Sequence, residues 1–81
     1  MKNETKTGNK PVKKFRNGNV VVSIWENVNA KEDRTFNTVT FERNYKDGED
    51  WKNTQSLGVG DIPKLISCLR KTYEYLRVKE E

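Results

Sequence analysis

The chain has no histidine, a single cysteine, two prolines and no long apolar run, and each shortage removes a class of function. Without histidine the commonest general base and metal ligand is missing. Cys68 has no second thiol with which to close a disulfide or build a zinc site, and no imidazole to activate it as a nucleophile. No stretch approaches the roughly 20 apolar residues that span a bilayer. No charged start followed by an apolar segment marks the chain for secretion, so a cytoplasmic location is expected. The remaining catalytic option, a carboxylate pair, is poorly served. Asp47, Glu49 and Asp50 crowd an Asp-Gly turn, where acidic residues serve the turn itself, and they lack the spacing of a calcium loop. Gly58 and Gly60 are not followed by the Lys-Ser/Thr of a phosphate-binding loop. The sequence therefore predicts neither an enzyme nor a cofactor.

Apolar residues are also scarce. They make up 32% of the 81 residues against 35% that are charged, close to the least that can close a core in a chain with room for one small domain. Dimerisation is a common remedy for so small a core. The net charge of +4 is unevenly spread. Lys2, Lys6, Lys10, Lys13, Lys14 and Arg16 face only Glu4 among the first 19 residues, leaving the rest of the chain slightly acidic. Such an end either attracts phosphate backbones by counterion release or merely keeps the chain soluble.

Residues 1–10 lack any apolar period and read as a disordered basic arm, with one domain over 11–81. A short basic strand, Pro11 to Arg16, ends at Asn17-Gly18, a type I′ hairpin signal. Val20 to Asn27 alternates with Val20, Val22 and Ile24 on one face and Val21, Ser23 and Trp25 on the other. Thr35 to Tyr45 places Val39 and Phe41 inward and Thr38, Thr40 and Glu42 outward. Trp51 to Val59 reads as a fourth strand, with Leu57 and Val59 inward and Lys52, Thr54 and Ser56 outward. After the strand-breaking Gly58 and Gly60, Asp61 is the expected N-cap of a helix running to Val78, in which Pro63 is tolerated in the first turn. Its apolar stripe, Ile62, Leu65, Ile66, Leu69, Tyr73 and Leu76, is expected to cover the sheet. The fold class is thus α+β: a four-stranded antiparallel sheet and one C-terminal helix, ββββα, in two layers. A weaker strip, Leu65, Cys68, Thr72 and Tyr75, flanks the stripe. It is either a helix-to-helix dimer interface or the margin of a wide core face.

Aromatic side chains interleave with cations: Trp25 on the outer face, and Tyr45 and Trp51 around the last hairpin with Arg43, Lys46 and Lys52. Rings that stack bases and cations that track a backbone are the requirements of single-stranded nucleic-acid binding. Tyr45 and Trp51 also suit a structural contact across the hairpin.

The stretches FRNGNVVVSIWEN and FNTVTFERNYKDGEDWKNTQSLGVGDIPKL resemble a set of short uncharacterised prokaryotic and viral proteins over about Lys14 to Leu65. These share an Ile-Trp-Glu-Asn strand, a Thr-Phe-x-Arg-x-Tyr-Lys-Asp-Gly strand and turn, and a Trp-Lys segment. The order of elements is similar to that of the positive cofactor four and Whirly class of single-strand-binding proteins. That resemblance implies a homodimer holding unpaired DNA, more than RNA, across its sheet in transcription or replication, largely without sequence preference. The residues at matching places are Lys13, Lys14, Arg16, Trp25, Arg43, Lys46, Trp51 and Lys52. Glu26, Glu42, Asp47, Glu49 and Asp50 lie near those cations and depart from a uniformly positive groove. The alternative expectation is a small protein-interaction or regulatory module that pairs through its helix flank or a sheet edge.

Overall fold

In the computed structural model, residues 10–80 are described, and the arm over 1–9 lies outside the described residues. Strands β1 (Lys13–Asn17), β2 (Val20–Asn29), β3 (Arg34–Asp47) and β4 (Asp50–Thr54) precede a 3-10 turn at Val59–Asp61 and helix α1 (Ile62–Glu80). The strands form one antiparallel sheet in the order β1-β2-β3-β4. This is the expected α+β, ββββα arrangement. Among the described residues no helix is long and apolar enough to cross a membrane.

Register follows from two tight turns. Asn17 pairs with Val20 and Asp47 with Asp50, so Gly18-Asn19 and Gly48-Glu49 are the central pairs. Of these four residues only the glycines have positive φ, +63° and +68°. A positive φ confined to the first central residue is the type II′ requirement, not the type I′ expected from Asn17-Gly18. The second turn sets Tyr45 opposite Lys52 and Lys46 opposite Trp51. Tyr45 and Trp51 therefore stand on opposite faces, and the aromatic contact across the hairpin is not made.

Because opposed residues share a face, the ladder sorts every strand side chain. Phe15, Val20, Val22, Ile24, Val39, Phe41, Arg43, Tyr45 and Lys52 share one face; Lys14, Arg16, Val21, Ser23, Trp25, Phe36, Thr38, Thr40, Lys46 and Trp51 share the other. Helix α1 packs against β1 and β2 on the first, helix-side face, where the Tyr75 ring meets Phe15 edge-on at 6.2 Å. The second, open face has no helix on it among the described residues. Val20, Val22 and Ile24 are fully buried, and they form the centre of the core.

Two expectations fail here. The fourth strand ends at Thr54, and Lys52 and Thr54 lie on the helix-side face, paired with Tyr45 and Arg43. A one-residue change of register moves every side chain to the other face, and the two-residue turn at Gly48-Glu49 fixes this one. Beyond the strand, Val59 is exposed in the 3-10 turn and Leu57 is half-buried. The helix is also rolled relative to the expected stripe. Cys68 and Thr72 are 2% and 3% exposed, whereas Ile62, Ile66, Leu69 and Tyr73 are exposed. The strip Leu65, Cys68, Thr72 and Tyr75, expected as a dimer interface, is the face laid on the sheet of its own chain. The Phe15–Tyr75 contact sets that roll. Cys68 and Thr72 are small enough to sit beneath the helix, and the Thr72 hydroxyl is satisfied by donating to the Cys68 carbonyl at 2.8 Å, so its burial leaves no orphan donor.

Asp61 also departs from a simple cap. Its carboxylate turns back to accept the Gly58 N–H at 2.9 Å and lies 3.4 Å from Arg43 Nε and 3.9 Å from Lys64 Nζ. It ties the helix start to β3.

Candidate nucleic-acid interface on the open face

The cations expected at the site are divided by the sheet. Lys13, Arg43 and Lys52 lie on the helix-side face. Lys13 sits over the rings of Phe15 and Tyr75, 5.3 and 5.8 Å from their centroids. Arg43 donates to the Ser56 carbonyl at 2.8 Å and pairs with Asp61. Lys52 bonds Asp47 at 2.9 Å. Lys13 and Arg43 hold the fold's own groups and do not join the other five, whereas Lys52, though bonded to Asp47, also reaches a hollow beside Trp51.

The open face brings together Lys14, Arg16, Trp25, Lys46 and Trp51. Strand alternation adds Arg34 and Phe36 to the same face. Its strand residues carry four cations, Lys14, Arg16, Arg34 and Lys46, against the single carboxylate of Glu42. On the helix-side face Lys13, Arg43 and Lys52 are balanced by Glu26, Asp47 and Asp50. Lys14, Arg16 and Lys46 make no ion pair with a described carboxylate. The charge excess of the sheet thus belongs to its uncovered side.

Two aromatic stations mark this face. At the β3–β4 end Trp51 is 69% exposed, with Lys46 Nζ 5.9 Å from its ring. Beside it lies an open hollow of about 490 Å³ lined by Arg16, Gly18, Asn19, Asn44, Trp51, Lys52 and Asn53. Asn19 and Asn44 extend the β2–β3 ladder: Asn44 N–H donates to the Asn19 carbonyl at 2.8 Å, and Asn19 Nδ2 to the Asn44 carbonyl at 3.3 Å. The Asn19 Oδ1 atom is buried without a partner, an acceptor whose desolvation costs about 1–3 kcal/mol. A ring wall, three amides and a guanidinium converge here, the chemistry that takes a flat heterocycle and a neighbouring anion.

The second station is Trp25 with Phe36. Trp25 pairs with Thr38, but its indole N–H donates to Thr40 Oγ1 at 2.9 Å. Thr40 lies opposite Ser23, so the ring leans back along β2 and helps bury Ser23. Asn27 Nδ2 likewise donates to Thr38 Oγ1 at 2.9 Å. This diagonal pattern fixes the floor of the face, where Val21, Ser23 and Asn27 are buried although no helix covers them. Measured along β3, Thr38 and Lys46 are eight residues apart, so the two stations stand roughly 26 Å from one another at the usual strand rise.

Arg34, Phe36, Asn44 and Asn53 were not picked out by sequence reasoning. Phe36 was legible, since it shares parity with Thr38 and Thr40. Asn44 and Asn53 carried no signal until the last hairpin's register was known. Among the described residues no cluster of three acidic, histidine or cysteine side chains could hold a metal ion. Cys68 is buried, and that burial pushes its thiol up from the ordinary value while Lys71 pulls it down. Comparison with protein-family models, with curated proteins and with solved structures finds no match for this chain.

Proposed function

We propose that the protein binds single-stranded nucleic acid, DNA in the first place, across the open face of its sheet. The observation that carries this reading is the segregation of charge: four cations and one carboxylate share a face with Trp25, Phe36 and Trp51, while the helix-side face is balanced. Lys14, Arg16 and Lys46 supply counterion release along a phosphate backbone. Trp51 offers a ring on which a base stacks at about 1–3 kcal/mol, and Trp25 with Phe36 offers a second such place. Asn44 and Asn53 reach base edges beside Trp51. Amides that both donate and accept suit any base, so the binding is sequence-tolerant. The likeness of element order to the positive cofactor four and Whirly class supports the reading by analogy of fold alone.

The test is fluorescence anisotropy of a labelled oligothymidine titrated with the protein, repeated with an oligouridine, with duplex DNA and at two salt concentrations. Tighter binding to the single strand that weakens as salt rises is the expected result. Equal affinity for the duplex would replace the stacking face by a simple electrostatic one, and no binding at low salt would overturn the reading.

A further inference from the structure

The hollow beside Trp51 is set apart by its charge. Its lining carries two cations, Arg16 and Lys52, and no carboxylate. Arg16 makes no ion pair with a described carboxylate. Lys52 shares its charge with Asp47 in a pair whose side chains are both exposed, and such a pair holds its lysine weakly. The volume of about 490 Å³ falls within the range of small-molecule sites, about 300–1,000 Å³. It admits one nucleotide, not a tract of several.

Register arranges the groups in rows. Asn19, Asn44 and Asn53 stand side by side across the open face. Trp51 lies one row toward the β3–β4 turn, and Arg16, opposite Val21, lies one row the other way. A base laid on Trp51 has the amides along its edge and the guanidinium beyond them, on the side where its phosphate extends. The stacking platform also stops here. Past the pair of Lys46 with Trp51 the sheet holds only the pair of Asp47 with Asp50 and its turn, so a strand that crosses from Trp25 meets no further ring or amide.

We propose that this hollow takes a terminal nucleotide, one whose phosphate is a monoester, with the base on Trp51 and the phosphate at Arg16. The same chemistry is offered by the phosphorylated end of a strand and by a free nucleoside monophosphate. Charge is the reason for a monoester. A phosphodiester inside a strand carries one negative charge, whereas a monoester approaches two at neutral pH because its second pKa is about 6. Arg16 and Lys52 match that dianion in number, and the planar guanidinium presents a fork of donors suited to phosphate oxygens. The inference deepens the single-strand reading and rests on it, because the ring and the amides are the same.

The test is competition of unlabelled oligothymidines for the protein against an internally labelled strand, the competitors bearing a 5′-phosphate, a 3′-phosphate or hydroxyls at both ends. Alongside it, thymidine 5′-monophosphate and thymidine are titrated calorimetrically. One phosphorylated end is expected to bind about tenfold tighter than the hydroxyl form, and the end preferred gives the polarity of the strand. Preference for the monophosphate over thymidine without any preference among the strands would assign the site to the free nucleotide. Equal binding of all strands, with the monophosphate no better than thymidine, would overturn this proposal and leave the single-strand reading standing; no binding of any probe would overturn both. Arg16→Ala is expected to erase the preference for the phosphorylated end. Lys14→Ala, on the same face but outside the hollow, should weaken every strand and keep that preference. A preference that survives Arg16→Ala would also overturn the proposal.

Discussion

Arg43 of β3 and Asp61 at the head of α1 lie 3.4 Å apart, Nε to Oδ2, and each also holds backbone of the connecting segment: Arg43 the Ser56 carbonyl, Asp61 the Gly58 N–H. The pair is a clamp that closes the connection from β3 to the 3-10 turn, across β4 and the segment after it. With both side chains largely buried, removing one partner leaves the other's charge and a backbone group unmet. Asp61→Ala is expected to cost about 1–3 kcal/mol in urea unfolding, with single-strand affinity unchanged at temperatures where the variant is folded. A loss of affinity without a loss of stability would assign Arg43 to the ligand instead.

Trp51 and Trp25 should separate function from stability. Trp51 is the most exposed of the open-face rings and makes no hydrogen bond described in the structure, so Trp51→Ala is expected to lower affinity about 5- to 150-fold, the equivalent of about 1–3 kcal/mol of stacking. Its thermal midpoint should barely move. Trp25 is half-buried and bonded to Thr40, and Trp25→Ala should lower both. Isothermal titration set beside thermal unfolding decides the matter: equal affinity for wild type and Trp51→Ala would remove the hollow from the site.

The fold was legible in the strands because β2 and β3 alternate cleanly and are bounded by glycine turns. Ser23, Trp25, Thr38 and Thr40 were read on the outer face, and the ladder places them there. The last hairpin was not legible. In the sequence its phase rests on Leu57 and Val59, which lie beyond the end of the strand at Thr54, and the turn at Gly48-Glu49 decided that Trp51 shares the open face while Lys52 does not. The roll of the helix was hidden for a related reason. Periodicity finds the stripe with the most apolar residues, which is Ile62 to Tyr73, but the face that lies on the sheet is chosen by fit, and here Tyr75 against Phe15 with two small residues between prevails.

Division of the cations by face gives a charge test. Replacing Arg16 or Lys46 by Ala should weaken single-strand binding and make the slope of log affinity against log salt shallower by about 0.7 for each phosphate no longer neutralised. Lys13→Ala is the matched control, with the same change in net charge on the balanced face, where Lys13 sits over Phe15. Equal slopes for the two sets would show that only net charge matters and that the open face has no special part.

Cys68 supplies a pH dependence whose sign follows from its burial. Desolvation beneath α1 favours the neutral thiol and raises its pKa above that of the unfolded chain, with Lys71 acting in the opposite sense. A raised acid contributes stability that is fully present below the unfolded pKa and is lost as pH rises through the folded one. The wild type should therefore lose stability over the alkaline window that opens at the ordinary thiol value. The Cys68→Ala variant should lack that component whatever its absolute stability, because the cavity it leaves does not titrate. Urea midpoints of both proteins across that window measure the difference in slope. Parallel slopes, or rapid modification of Cys68 by a thiol reagent in the folded protein, would contradict the placement of this side chain under the helix.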